Sequence, residues 1–264
     1  MFFFNKKSIM LIKKDTMKMS IITVVYNNEK TIKDALNSVF EQTYKNIEYV
    51  IIDGKSNDNT VALIKEYEDK LGYFVSEKDK GLYDAMNKGI LSSTGDVIGI
   101  LNSDDIYQDE DVITNIMEYF NNDPALDIIY GDLVYVKNND TDKIVRNWNS
   151  KPYYDRFFEN GNVPAHPALF VRRRVYEVVG LFDLNYRLAA DYELMFRMLK
   201  NNNFKIKYIK RLIVKMRLGG ATNQSFRNIL NQNKEILRAW KDNGLQAPFY
   251  LMPLRMFKKM IQFI

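Results

Sequence analysis

The chain has no cysteine and a single histidine, His166. Disulfides and thiolate metal sites are therefore excluded, and so is any zinc site built from several histidines. The absence of cysteine agrees with a cytosolic setting. No apolar run approaches the ~18 residues of a membrane span. No G-x-G-x-x-G follows the first apolar segment, and no G-x-x-x-x-G-K-[ST] occurs, so neither dinucleotide binding nor P-loop chemistry is supported. Phe2-Phe3-Phe4 is interrupted by Asn5-Lys6-Lys7 and no small-residue cleavage site follows, so the start does not read as a signal peptide. Residues 1–18 read instead as a poorly ordered extension, with the folded part opening near Met17 or Met19. A large charge imbalance is also missing. The net charge of +5 suits an anionic small ligand, an acidic membrane surface or nucleic acid alike.

What is present is a chain of 264 residues, 46% hydrophobic, with 17 Tyr and 16 Phe, enough for a substantial core. Met19–Tyr26 and Ile47–Ile52 are apolar and β-branched, as buried strands are. Between them, Ile32, Ala35, Leu36, Val39 and Phe40 recur at helical spacing. A helix over Val61–Leu71, a strand at Tyr73–Ser76, a helix over Leu82–Ser92 and a strand at Asp96–Leu101 continue the alternation. A helix over Asp109–Phe120 and a strand at Leu126–Tyr130 complete the first half. Strands alternating with helices through short loops predict an open, mostly parallel α/β sheet, in which ligands bind outside the carboxyl ends of the strands. Four consecutive strands end in polar or acidic residues: Asn27, Asp53, Asp79, and Asp104 with Asp105. The second half is less regular. It reads as a hairpin around Asn138-Asn139-Asp140, a short helix over Tyr153–Glu159, and helices over Arg174–Val179, Asp191–Lys200 and Phe226–Asp242. Two β segments span Phe204–Leu218. With no repeat and no low-complexity linker, one domain is expected over 19–244, divided into halves 19–131 and 132–244. Residues 245–264 form a basic C-terminal helix.

The most informative stretch is Leu101-Asn102-Ser103-Asp104-Asp105. An apolar strand running into two adjacent carboxylates is either a solvated turn or the binding place of a hard cation. Mg²⁺ or Mn²⁺ fits, because these ions take a few carboxylates together with phosphate oxygens.

Taken together, these stretches resemble family-2 glycosyltransferases of the GT-A fold, over roughly Met19–Thr222. The resemblance is carried by Ser20–Asn27 (SIITVVYN), Tyr49–Thr60 (YVIIDGKSNDNT), Glu77–Gly89 (EKDKGLYDAMNKG), Thr94–Asp105 (TGDVIGILNSDD), Asn162–Arg173 (NVPAHPALFVRR) and Leu188–Leu199 (LAADYELMFRML). It looks closest to the bacterial branch that builds capsule, exopolysaccharide or O-antigen units. The resemblance implies a nucleotide-sugar donor, usually a UDP-sugar, and inversion at the anomeric carbon. It implies that Thr23, Tyr26 and Asn27 border the nucleotide, that Asp53 takes the base or ribose, and that Asp79 and Lys80 line the uridine pocket. The family's D-x-D metal motif is altered here, with Asn102 at its first position and Asp104 at its second. Asp104 is then the main ligand and Asp105 its partner.

The reaction also needs a carboxylate to take the proton of an acceptor hydroxyl. Asp191 matches the family's base position in Ala190-Asp191-Tyr192-Glu193, with Glu193 as the second candidate. The residues alone equally allow Asp191 to cap its helix. His166 is either structural or a contact to diphosphate or acceptor. Arg172-Arg173-Arg174 reads as mostly solvated or structural, and Gly219-Gly220-Ala221-Thr222 as a plain turn or a closing loop. Pro248–Ile264 contains Arg255, Lys258 and Lys259 among apolar residues and no acid, a pattern that suits an anionic membrane surface or a helix packed on the domain. The partners expected are a nucleotide-sugar, a glycan or undecaprenyl-type lipid-linked acceptor, peripheral membrane contact through residues 248–264, and no nucleic acid. A processive synthase is excluded by the missing spans and the missing Q-x-x-R-W motif. A nucleotidyltransferase is excluded by the missing Gly-rich loop after the first strand. A nucleotide-sugar-binding protein with weakened catalysis is the alternative that Asn102 leaves open.

Overall fold

The structure is a computed structural model that describes residues 17–200, 203–219 and 226–261. Most of the expected extension at 1–18, and Gly220-Ala221-Thr222 of the expected closing loop, lie outside the described residues. Strands β1 (Met19–Val25), β2 (Ile47–Asp53), β3 (Tyr73–Ser76) and β4 (Val97–Ile100) run parallel in the order β3-β2-β1-β4. Parallel strands covered on both faces are apolar throughout, which is why they read as continuous runs. All seven residues of β1 and all four of β4 are buried.

Helices α1 (Ile32–Phe40), α2 (Thr60–Lys65), α3 (Leu82–Ser92) and α4 (Val112–Asn122) connect or follow these strands. The side chains of β1 alternate between two cores. Met19, Ile21 and Val25 pack with Leu36 of α1, Ile64 of α2 and Ile113 of α4. Ile22 and Val24 face Ala85, Met86 and Ile90 of α3. Gly89 lets α3 approach closely, because a Cβ there would lie 2.4 Å from Cγ2 of Ile22. The helix expected over Val61–Leu71 is shorter, and a 3₁₀ turn at Glu68–Lys70 replaces its end.

The second half extends the sheet with mixed strands. These are β5 (Ile106–Tyr107), β6 (Leu126–Lys137), β7 (Asp140–Trp148), β8 (Leu169–Arg172) and β9 (Lys205–Arg217). β8 lies antiparallel between β4 and β6, β9 runs parallel to β6, and β5 is antiparallel to β9. β6 and β7 form the expected hairpin, closing at Lys137 opposite Asp140. The two segments expected over Phe204–Leu218 are one 13-residue strand, with register shifts where it passes Tyr130–Leu133 of β6. Helices α5 (Arg173–Val179), α6 (Ala190–Lys200) and α7 (Phe226–Asp242) cover the face that α3 covers. Tyr153–Glu159 is not a helix. Arg156 sits at φ 62°, a left-handed backbone that ends any helical turn, while Phe157 and Phe158 are buried as anchors.

Helix α8 (Leu251–Ile261) docks on the domain through Leu251, which is fully buried in the core with α7's Trp240. No described helix is long and apolar enough to cross a membrane. The three consecutive arginines at the junction of β8 and α5 are structural. Arg172 donates to the carbonyls of Leu126 and Phe120, Arg173 to that of Gly95, and Arg174 pairs with Asp127 at 2.7 Å.

Candidate active site

The register of β1 to β4 brings Val25, Asp53 and Ser76 level with one another, and the carboxyl end of β4 opens on the same edge. A cavity of about 1200 Å³ opens along that edge. Its floor and near wall are Tyr26, Asn27, Asn28, Gly54, Lys55, Lys78 and Asp79, followed by Asn102, Ser103 and Asp104. Its far wall comes from Tyr135, Arg146, Trp148, the 149–164 segment, His166, Asp191 and α8.

The near wall is held by local bonds. Asn27 adopts a left-handed backbone at φ 49°; its N–H donates to Oγ of Ser56, and its side-chain oxygen accepts from the N–H of Asn57. Tyr26 is 62% exposed, an aromatic face turned to the cavity. Asp79 accepts the N–H of Gly81 at 2.8 Å. A Cβ at Gly54 would stand 2.5 Å from Oδ2 of Asp79, so a larger residue there would displace this carboxylate.

Three residues expected here stand elsewhere. Thr23 is fully buried within β1 and donates to the carbonyl of Leu101 at 2.9 Å, beneath the cavity rather than in it. The Asp53 carboxylate is also fully buried. It accepts from the N–H and Oγ of Ser56 and from Oγ of Ser76, and thereby fixes the loop after β2. Lys80 is exposed outside the cavity with its N–H on Asp84, and Lys78 lines the wall instead.

The Asn102–Asp105 turn separates its two carboxylates. Asp104 lines the cavity, and no described side chain forms an ion pair with it. Burial raises its carboxyl above the ordinary value, opposed by a backbone hydrogen bond and by the charge of Arg217. Asp105 does not share the cavity. Its carboxylate is fully buried, accepting from Nδ2 of Asn102 at 2.8 Å and from the N–H of Arg217 at 3.3 Å. Burial pushes it well above the ordinary carboxylate range, and the neighbouring Asp104 adds to that shift. The expected pairing of Asp104 with Asp105 as joint ligands is therefore not what the structure shows: Asp104 lines the cavity together with Asn102, and Asp105 lies beneath it. Among the described residues no cluster of three acidic or histidine side chains surrounds a point. Two hard oxygens facing a cavity still fit a Mg²⁺ or Mn²⁺ ion that takes its remaining ligands from a diphosphate and water.

On the opposite wall, Asp191 occupies the first turn of α6. Its Oδ1 accepts from the hydroxyl of Tyr83 at 3.3 Å. The chain entering the helix is held by a different residue. The carboxylate of Glu235 on α7 accepts the N–H groups of Arg187, Leu188 and Ala189 at 2.8–3.1 Å. Asp191 thus remains directed at the cavity, beside His166. His166 rests edge-on against Phe182, whose ring also stacks on Tyr83. Burial lowers the His166 imidazole below its ordinary value, and the Asp191 charge opposes this. Glu193, the second candidate base, is 5% exposed and faces away, gripped by Arg197 through two bonds of 2.7 and 2.8 Å.

Residues 20–180 match Glycosyl transferase family 2, more than half of the chain. The chain belongs to that family. The glycosyltransferase is 32% identical over 183 residues to an uncharacterized glycosyltransferase of Mycobacterium tuberculosis, covering 67% of each chain. It is 27% identical over 208 residues to a Mycobacterium tuberculosis PGL/p-HBAD biosynthesis glycosyltransferase, covering 77% of this chain and 78% of the relative. Its fold is similar to that of S. aureus TarS. A TarS fragment in complex with UDP-GlcNAc superposes with a TM-score of 0.68 at 17% identity, covering 90% of this chain and 69% of that one. Against a longer TarS chain the glycosyltransferase spans 39% of the length. A mannosyltransferase from Pyrobaculum calidifontis, in complex with GDP-Man and Mn²⁺, superposes with a TM-score of 0.63 at 15% identity, covering 93% and 70% of the two chains. These likenesses establish the α/β fold of GT-A type.

Sequence reading missed Tyr83, Arg146, Arg217 and Glu235. Tyr83 lies within Glu77–Gly89 and carried a visible signal, an aromatic hydroxyl in the first turn of the helix that this motif opens. The other three act across the fold, where no local pattern marks them.

Proposed function

We propose that the glycosyltransferase moves a sugar from a nucleotide-diphospho-sugar, a UDP-sugar, to a hydroxyl of a glycan or lipid-linked acceptor with inversion at the anomeric carbon. The observation that carries this reading is that Asp104 and Asp191 line one and the same cavity at the carboxyl edge of the parallel strands. Solved neighbours bound to UDP and to UDP-GlcNAc support the donor class. The product we assign is a cell-surface polysaccharide of the capsule, exopolysaccharide or O-antigen kind, and a biosynthetic role is what the name of one relative, a PGL/p-HBAD biosynthesis glycosyltransferase, also carries.

In this mechanism Tyr26, Asn27 and Asp79 border the nucleoside. Asp104 and the Asn102 side-chain oxygen would hold Mg²⁺ or Mn²⁺, which neutralises charge on the leaving diphosphate. Asp191 accepts the proton of the acceptor hydroxyl as its oxygen attacks the anomeric carbon. The new C–O bond forms on the face opposite the bond to the β-phosphate, which breaks with its electrons going to UDP, and the configuration inverts. The helix dipole at the start of α6 favours the ionised carboxylate, and Tyr83 orients it. Helix α8 supports peripheral attachment to an anionic membrane from the cytoplasmic side. Its outer face carries Phe257 and Met260, 61% and 72% exposed, with Phe249 preceding it at 96%.

A UDP-release assay across UDP-sugars, with and without Mn²⁺, tests the reading. Donor- and acceptor-dependent release that needs the cation supports it. UDP-sugar binding without turnover would instead favour a binding protein, the reading that Asn102 in place of the usual acid leaves open.

A further inference from the structure

The far wall of the cavity carries more positive charge than recognition of a neutral sugar hydroxyl requires. Arg146 on β7, Lys151 just after it, and Arg255, Lys258 and Lys259 on α8 all line it. The carboxylate lining this wall is Asp191. Lys258 is engaged within the protein, its Nζ donating to the carbonyl of Asn160 and to Oδ1 of Asn162. Arg255 is not. Its guanidinium lies 5.0 Å above the Tyr192 ring, and its Nη1 is buried with no acceptor in reach among the described residues. A buried guanidinium N–H without an acceptor is unusual, because the group brings five donors into a fixed fork that suits phosphate and carboxylate.

Two further cations line the same wall: Arg146, seated against the rings of Tyr135 and Trp148, and Lys259. Burial lowers Lys259, and the charges of Arg146 and Arg255 beside it lower it further. Three cations bordering one space make it favourable for an anion. That space belongs to the acceptor side. Arg255 stands over Tyr192, the residue after Asp191, and its charge acts on Asp191. Asp104, on the donor side, has Arg217 as its cationic neighbour. Met256, next to Arg255 on α8, both lines the cavity and is exposed, and it continues into the exposed apolar residues Phe257, Met260 and Ile261. An anion held at Arg255 can therefore carry an organic chain that leaves along this helix.

We propose that Arg255 and Lys259, backed by Arg146, form a phosphate subsite on the acceptor side. It takes a phosphate ester whose apolar tail exits along the exposed face of α8. The reading of the cavity as a glycosyl-transfer site, with Asp191 as base, underlies the word acceptor, but the subsite itself is testable without it.

The test uses the full chain saturated with UDP and Mn²⁺, which fills the donor side. Geranyl phosphate, inorganic phosphate and phosphatidylglycerol vesicles are titrated separately by calorimetry, the first below its micelle concentration. Geranyl phosphate should bind, and Arg255→Gln and Lys259→Met should each weaken it at least tenfold while UDP affinity stays within twofold of wild type. Inorganic phosphate should depend on the same residues and bind at least tenfold more weakly. Equal affinity for inorganic phosphate would overturn the exit of the tail along α8. Failure of every phosphate probe to bind, or an equal loss of UDP affinity in the variants, would overturn the subsite. Vesicle binding that depends on Arg255 while geranyl phosphate does not bind would overturn it as well, by assigning the cluster to lipid headgroups. Should Arg255→Gln not fold, Arg255→Lys and Lys259→Met decide, since Lys259 is only half-buried. A wild-type chain that binds no UDP would defeat the donor reading, while geranyl phosphate titrated alone would still decide the subsite.

Discussion

Asn102 holds Asp105 from three residues away. Its Nδ2 donates to Oδ2 of Asp105 at 2.8 Å, and its carbonyl accepts the Asp105 N–H at 3.1 Å. The amide at this position is the neutral partner of a fully buried carboxylate, and of the two adjacent carboxylates only Asp104 lines the cavity. Two outcomes follow for this turn. Asp104→Asn should abolish transfer and the cation dependence of UDP binding, measured by UDP release and by calorimetry. Full turnover in that variant, or in excess chelator, would defeat the metal assignment.

Asn102→Asp should not improve the enzyme. It sets a second carboxylate against Asp105 and should lower unfolding stability at neutral pH by about 1–3 kcal/mol. Because the folded protein raises Asp105, the favourable state is the protonated one. Its contribution is complete below the unfolded carboxyl pKa and is lost as pH rises through the elevated folded value. The deficit of Asn102→Asp should therefore shrink as pH falls, which urea titrations at a series of pH values would report. A deficit that grows on acidification would contradict the arrangement.

Asp191→Asn keeps the shape of the side chain. Since Glu235 holds the backbone entering α6, the melting temperature should move little. Transfer should fall ~10²–10⁴-fold, the range for loss of a general base, with UDP affinity near wild type. Glu193→Gln should show the converse. Weakening one partner of a buried pair costs up to the ~3–5 kcal/mol of a fully broken one, so stability drops while the folded fraction still turns over. Retained transfer in Asp191→Asn would remove it as the base.

Glu235 lies on a helix far along the chain from Asp191 and bonds the backbone of residues 187–189. Glu235→Ala leaves three N–H groups without their acceptor and should cost about 1–3 kcal/mol. In the folded protein kcat should fall with UDP affinity unchanged, and Glu235→Gln, which retains an acceptor oxygen, should recover part of the loss. An unaltered kcat in Glu235→Ala would reduce the residue to a tie between helices.

Phe257→Glu with Met260→Glu alters only exposed positions of α8. Sedimentation with anionic liposomes should drop at least several-fold, while hydrolysis of a soluble donor is preserved. Undiminished liposome binding would assign the apolar face another role.

The parallel half of the sheet was legible because strands buried on both faces leave continuous apolar runs, as in Met19–Val25 and Ile47–Ile52. The cavity was legible because those strands must end on one edge. What a strand-end acid does there was not. Asp53 and Asp79 look alike in the sequence, yet the hydroxyls of Ser56 and Ser76 enclose the first and leave the second exposed to ligand. Tyr153, Phe157 and Phe158 have helical spacing, but they are an aromatic anchor for an irregular segment. Arg217 and Arg255 acquire their meaning from neighbours distant in the chain: the carbonyl of Asp104 for the first, and the ring of Tyr192 for the second.

The two walls of the cavity differ in what they are made of. The near wall is set by strand register and cannot shift without disturbing β1 to β4. Much of the far wall is the irregular stretch 149–164, moored by Phe157 and Phe158 and clasped to α8 by Lys258. Its length and side chains can vary while the sheet stays as it is. Grafting this stretch from one relative to another is thus a route to new acceptor selectivity on an unchanged donor platform, and the same freedom would let a lineage diversify its products without inventing a new catalyst.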